Sequence, residues 1–252
     1  MTTVPVIILA GSRLGEREPL ALYGHVSHKA LLPVGGKAMI ERVVGTLEKT
    51  KELDPLWVSI EKPDCLAFLG NRIKIIKAAS TPSESVFQAL QKIGSPCLVT
   101  TADHALLRPE WVEEFILKSR KSDADVTAGI ASAKTIRRDV PETKRTYIKL
   151  SDISFSGCNL FWMNSPKALK VAALWRKLQQ NRKRPLKMAL TLGFTTLFKA
   201  LIRRLSTKDI EARIYHLTGA SVSFILMSDG RAAVDVDKIS DLKLAEQLLS
   251  KF

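Results

Sequence analysis

Over the first half of this chain, short apolar runs alternate with stretches whose apolar residues recur at helical period. That alternation restricts the fold more than any other feature. Residues 6–9, 56–60, 73–76 and 96–101 read as strands. The first of them, Val-Ile-Ile-Leu, is apolar at every position, as a strand covered on both faces should be. Residues 38–47, 83–90 and 109–118 read as helices, with Ser83 near the N-cap of the second. Strands separated by helices imply crossover connections, so the expected fold is α/β, a three-layer Rossmann-like sheet with helices on both faces. In such sheets ligands bind at the carboxyl ends of the strands. The loop 11–15 and the segment Thr101-Ala102-Asp103-His104 both fall at such ends.

The second half changes style. Residues 145–150 and 157–162 read as strands with antiparallel character, which makes the expected sheet mixed. A helical region follows from Pro166 and is expected to break near Pro185 and Gly193. Residues 221–226 and 232–236 read as further strands, and a closing helix is expected from Asp241. Neither a repeat nor a low-complexity linker interrupts the chain. The expected organisation is one domain over 1–252, with a basic helical embellishment at about 165–208.

Composition excludes several classes. A hydrophobic fraction of 46% is that of a globular protein, and no apolar run approaches the ~18 residues needed to cross a bilayer. Met1-Thr2-Thr3 leads straight into the first strand without a secretory leader pattern, and the three dispersed cysteines form no CxxC pair. A cytoplasmic setting is therefore expected. The formal net charge is +14, and no acidic residue occurs between Asp152 and Asp209. This block supplies most of the excess charge and predicts an anionic partner. Aromatic residues are only 6% and no nucleic-acid-binding motif occurs, so no nucleic acid is expected.

Four segments stand in order along the chain: LAGSRLG after the first strand, Lys29 in HKALLPVGGKAMIERV, Thr101-Ala102-Asp103 after a central strand, and DVDKISDL from Asp235. Together they resemble the superfamily of molybdenum-cofactor, sugar-phosphate and lipid-precursor nucleotidyltransferases, and in particular its MobA-like branch. The resemblance covers nearly the whole chain and implies a mixed sheet of the nucleotide-diphospho-sugar transferase (GT-A) type. It also implies an enzyme of the EC 2.7.7 type, in which an acceptor phosphate oxygen attacks the α-phosphorus of an NTP and pyrophosphate leaves.

Such a transfer needs positioning and charge neutralisation rather than a covalent protein nucleophile. By resemblance, Leu9, Ala10, Gly11, Ser12 and Gly15 form the nucleotide loop, whose glycines let backbone N–H groups approach phosphates. Arg13 and Lys29 neutralise the triphosphate, and Thr101 lies beside the nucleotide. Asp103 and Asp237 hold Mg²⁺, with Asp237 favoured over Asp235 as the second ligand. Ser85 in PSESVFQAL matches a serine that contacts a cytosine base, which favours CTP; a helix-capping role competes with it. Asn159 matches a residue near the acceptor, against a hydrogen bond within the core. His104 is expected to be a neighbour of the metal ligands rather than a ligand or base, and Lys37 a solvated loop residue.

The pattern also departs from the family. The loop between Ala10 and Arg13 is short, the interval to Lys29 is long, and Lys238-Ile239 replaces the usual Thr-Pro. Two rivals remain. A glycosyltransferase on the same fold would commonly carry Asp-x-Asp where this chain has the single Asp103. A non-catalytic module binding an anionic membrane or nucleic acid would need only the basicity. The acceptor is expected to be a phosphorylated small molecule or lipid precursor. Leu190, Phe194, Leu197, Phe198, Leu201 and Leu205 recur at helical spacing within the basic block, either as a core-packing helix or as a surface for peripheral contact with an anionic membrane.

Overall fold

A computed structural model describes residues 3–12, 18–181 and 185–250, with the side chains of 185, 186, 188 and 189 also left aside. β1 (Val4–Leu9) leads to α1 (Pro19–Tyr23), a ribbon of β2 (Pro33–Val34) and β3 (Lys37–Ala38), and α2 (Met39–Leu47). Then come β4 (Leu53–Ile60), β5 (Lys74–Lys77), α3 (Pro82–Ile93), β6 (Cys97–Thr101) and α4 (Pro109–Lys121). The second half holds β7 (Val126–Ser132), α5 (Ala133–Asp139), β8 (Ile148–Lys149), β9 (Ser154–Met163) and α6 (Ala168–Gln180). It ends with α7 (Pro185–Leu192), α8 (Phe194–Leu201), α9 (Thr207–Thr218), β10 (Val222–Leu226) and α10 (Ile239–Leu249).

The main sheet runs in the order β10-β7-β9-β6-β1-β4-β5, with β8 on β9. The pairs β1–β4, β1–β6, β4–β5 and β7–β10 are parallel, while β9 runs antiparallel between β6 and β7. The mixed α/β sheet expected from the sequence is thus observed. β1 shows why its sequence is unbroken by polar residues. Val6 and Ile8 join a core cluster with α2, α4 and α10, while Ile7 faces the other way into a cluster with α3 and α6. Both faces exclude water, so period-two alternation disappears.

Three local expectations need correction. Residues 232–236 form no strand: a 3-10 turn spans Gly230–Ala233, and the chain beyond it is extended but unpaired in the sheet. The N-cap of α3 is Thr81, not Ser83; its hydroxyl accepts the Glu84 N–H at 3.3 Å, and Pro82 takes the first helical position. The strand expected over 145–150 is reduced to Ile148–Lys149.

The turn at Gly230 is pressed against α5. A Cβ there would lie 2.6 Å from the Ile136 Cα and 2.7 Å from the Thr135 carbonyl oxygen, both backbone atoms that cannot rotate away. Gly230→Ala is therefore expected to destabilise the protein by about 1–3 kcal/mol. The exposed Gly157, whose Cβ would meet nothing within 4 Å, serves as the control. Denaturant midpoints of the two alanine variants check this; equal stability would show that the close approach at Gly230 does not matter.

Candidate active site

The carboxyl ends of β1, β4 and β6 converge through backbone hydrogen bonds. The Ala10 N–H donates to the Ser59 carbonyl and the Ala102 N–H to the Leu9 carbonyl, each at 2.9 Å, so the loops leaving β1 and β6 depart side by side. Above them opens a cavity of about 610 Å³ lined by Leu9, Ala10, Gly11, Ser12, Lys29, Asp103 and Asp237, among others. Its size suits a nucleotide-scale ligand. Gly11 passes close to the segments that follow β4 and β5, where a Cβ would lie 3.0 Å from the Ala78 Cβ and 3.3 Å from the Glu61 carboxylate, so its neighbours would have to give way slightly to a side chain. Arg13 and Gly15 lie outside the described residues.

Lys29 is the focus of the cavity. It sits on a 3-10 turn, Lys29–Leu31, and its ammonium donates to Asp103 at 2.8 Å and to Asp237 at 2.6 Å. Burial disfavours the charged lysine, yet the two carboxylates outweigh it and raise its pKa. Asp103 also accepts the Thr101 hydroxyl at 2.5 Å. Burial, helped by nearby Asp235, nevertheless holds the Asp103 carboxyl above its ordinary range against the pull of Lys29 and Thr101. One ammonium leaves this carboxylate short of positive charge.

The second carboxylate is brought in by the chain after the 3-10 turn. The Val236 N–H donates to the Asp103 carbonyl at 3.0 Å, which places Asp237 across from Asp103. The Asp237 N–H is in turn held by buried Asp241, at 3.2 Å. Asp235 has a different occupation. It receives Arg145 and, at 2.8 Å, the Asn159 amide, and although burial opposes ionisation these partners hold its carboxyl below the usual range. Asn159 sits at φ 51, beside the irregular β7–β9 pairing, and spends its NH₂ group on this bond.

His104 is buried against Trp111, its rings stacked at 6.4 Å. Burial pushes its pKa down to about 4 and neither ring nitrogen has a well-formed partner among the described residues, so it stays neutral near pH 7. The Ser85 hydroxyl accepts the Ala79 N–H at 2.9 Å and, with Ser59, Thr81 and Ser12, lines a side pocket of about 50 Å³ next to the main cavity. It ties a loop rather than capping α3. Lys37 is exposed in β3, as expected of a solvated residue.

Two contributors were missed in the sequence. Glu61, just past β4, accepts the Ser12 N–H at 3.1 and 3.2 Å and lies 3.6 Å from His28 Nε2, tying the loop to the Lys29 segment. A charged residue directly after LWVSI, at a strand's carboxyl end, was a usable signal. Arg145 opens the segment 145–150, read as a strand, and nothing local in it pointed to an ion pair with Asp235.

The Arg145–Asp235 pair is mostly buried, with side-chain exposures of 13% and 11%. Arg145→Met is expected to cost about 3–5 kcal/mol by stranding Asp235, whereas Arg145→Met with Asp235→Leu should recover most of that loss. Urea unfolding of both variants checks this. A single variant as stable as the parent would rule out the pair as the anchor of the 235–237 segment.

The sequence matches the model of the MobA-like NTP transferase domain over residues 6–183. Among solved structures, a hypothetical transferase from Thermus thermophilus is 29% identical, with a TM-score of 0.80 over 96% of this chain and 100% of that one. The 4-diphosphocytidyl-2C-methyl-D-erythritol synthase of Anaerococcus prevotii shares the fold at 14% identity and a TM-score of 0.59, over 99% of each chain. A CMP:2-keto-3-deoxy-manno-octonic acid synthetase, solved with CTP, does so at 13% identity and 0.58, over 100% of this chain and 99% of that one. No curated protein matches the sequence. With the domain model covering most of the chain, and with its motifs gathered around one cavity, this protein belongs to the MobA-like NTP transferase family.

Proposed function

We propose that the protein transfers a nucleoside monophosphate from an NTP, with CTP favoured, to a phosphorylated acceptor. An acceptor phosphate oxygen forms a bond to the α-phosphorus, the bond from that phosphorus to the bridging oxygen breaks, and pyrophosphate leaves. The observation that carries this reading is Lys29 held between Asp103 and Asp237 at the wall of the 610 Å³ cavity beside the β1 loop. Such a site aligns phosphates and balances their charge without a nucleophilic side chain. Arg13, from its place in the loop sequence, is proposed to act on the same phosphates.

Mg²⁺ is the proposed cofactor. Among the described residues no cluster of three or more metal-binding side chains occurs. Asp103 and Asp237 converging on a single cation nevertheless fit Mg²⁺, which commonly takes one or two carboxylates and completes its shell with water and substrate phosphates. When bound, it would supply positive charge to offset that of the triphosphate. Lys29 would then turn from the carboxylates to the triphosphate.

The small side pocket at Ser85 is in keeping with a one-ring base, and the CTP-bound fold neighbour agrees with that choice. Asn159 keeps its carbonyl oxygen for a donor on the acceptor. We also propose that the acceptor is met at an anionic membrane surface that the chain does not cross; no helix among the described residues is long and apolar enough to do so.

Asp103→Asn is expected to lower turnover about 100-fold or more with the fold intact, since a preorganised charge is lost. Arg13→Lys should also be harmful, because an ammonium cannot reproduce a guanidinium's paired contact. Pyrophosphate release from Mg²⁺–CTP with a panel of phosphorylated alcohols, sugar phosphates and molybdopterin provides the assay. Full activity in a folded Asp103→Asn protein would remove Asp103 from the chemistry.

A further inference from the structure

The apolar period in the basic block suits a helix packed on the core, but α8 buries none of its residues. Leu190 is 67% exposed, Phe194 74%, Phe198 62% and Leu201 80%, and Ile202 continues the row. Phe194, Phe198 and Leu201 stand at i, i+4 and i+7, so their side chains share one face. Scattered surface apolar residues need no explanation, but several on one helix face form a patch that soluble surfaces avoid unless something covers it.

Cations flank the patch in sequence. Lys187, Arg203 and Arg204 are exposed and have no acidic partner among the described residues. The nearest acidic residues in sequence are already engaged, Asp209 with Lys199 and Ser206, and Asp152 with Thr207. Polar contacts, rather than burial, hold the element in place. Arg213 of α9 donates to the Thr191 carbonyl at 3.3 Å and packs against Gly193, where a Cβ would come within 2.8 Å of the guanidinium. Gly193 adopts φ +83, which lets the chain turn sharply between α7 and α8. The outer face is thus presented by a brace on the inner one.

We propose that α7 and α8 form a docking element for an anionic phospholipid leaflet. Phe194, Phe198 and Leu201 would enter the acyl boundary, with Lys187, Arg203 and Arg204 among the headgroups. Exposed apolar residues on one side and uncompensated cations around them match the two parts of such a surface. A protein partner would satisfy the apolar face as well, but it gives no reason for a stretch from 153 to 208 without one acidic residue. The inference rests on the membrane contact proposed above and not on the transfer chemistry, and vesicle binding needs neither nucleotide nor acceptor.

Flotation with phosphatidylglycerol-rich and with pure phosphatidylcholine vesicles tests it, using the full chain at low and high salt. The wild type should float with the anionic vesicles, poorly with the neutral ones, and less at high salt. Phe194→Glu/Phe198→Glu and Arg203→Glu/Arg204→Glu should each lose at least about tenfold of that binding. Leu117→Glu, at an exposed leucine on α4, should not. Pyrophosphate release with a water-soluble acceptor should persist in all of them, which separates lost docking from lost folding. No flotation of the wild type, or equal flotation of all variants, overturns the proposal. So does a wild-type dimer in sedimentation that Phe194→Glu/Phe198→Glu dissociates, since a second copy would then cover the face.

Discussion

The site depends on a single hydrogen bond between two distant stretches of chain, from the Val236 N–H to the Asp103 carbonyl. It fixes the segment carrying Asp237 against the end of β6, and so decides whether two carboxylates share one cation. Everything that leads to it is arranged to keep it in register. Gly230 lies flush on α5, Asp235 is pinned by Arg145 and Asn159, and Asp241 holds the Asp237 N–H from the first turn of α10. The Lys29 ammonium between the two carboxylates offsets their mutual repulsion, which for like charges 4 Å apart is about 4 kcal/mol at an effective dielectric of 20.

The electrostatics divide into two layers with different tasks. The inner layer, Arg145 with Asp235 and Asn159, is mostly buried and joined by charge-assisted hydrogen bonds, which suits an anchor. The outer layer, Lys29 with Asp103 and Asp237, is open to the cavity on the Asp237 side, where the side chain is 63% exposed. It also leaves the Asp103 carboxyl poorly compensated. A buried, partly compensated carboxylate at the wall of an open cavity, with a second carboxylate across from it, is a place where a more highly charged cation gains. Perturbed groups of this kind concentrate at functional sites.

Much of this was legible in the sequence, for physical reasons. An apolar run such as Val-Ile-Ile-Leu has few alternatives to a doubly covered strand, and strand ends locate ligands, so the β1 loop and Asp103 could be placed before any coordinates, whereas Lys29 followed only from the family resemblance. The run Ala232-Ala233-Val234-Asp235-Val236 misled because strand-like composition says nothing about whether a sheet edge is free to receive it. Thr81-Pro82 was a readable N-cap and first-turn signature that Ser83 obscured. Arg145 was invisible because a buried ion pair formed by residues 90 apart leaves no local pattern. Of the apolar stripe from Leu190 to Leu205, Phe194, Leu197, Phe198 and Leu201 lie on α8 while Leu190 belongs to α7 and Leu205 lies beyond the helix, and a period cannot distinguish a face that meets the core from one that meets a partner.

The central claim is that the α-phosphorus of a nucleoside triphosphate moves to the acceptor. Its most direct test follows CTP radiolabelled at either the α- or the γ-phosphorus through the reaction with Mg²⁺ and the phosphorylated acceptor panel. The account predicts that the α-label appears in the acceptor product while the γ-label leaves as pyrophosphate. A γ-label transferred to the acceptor, or no transfer of either label from any of the four common NTPs, would contradict it.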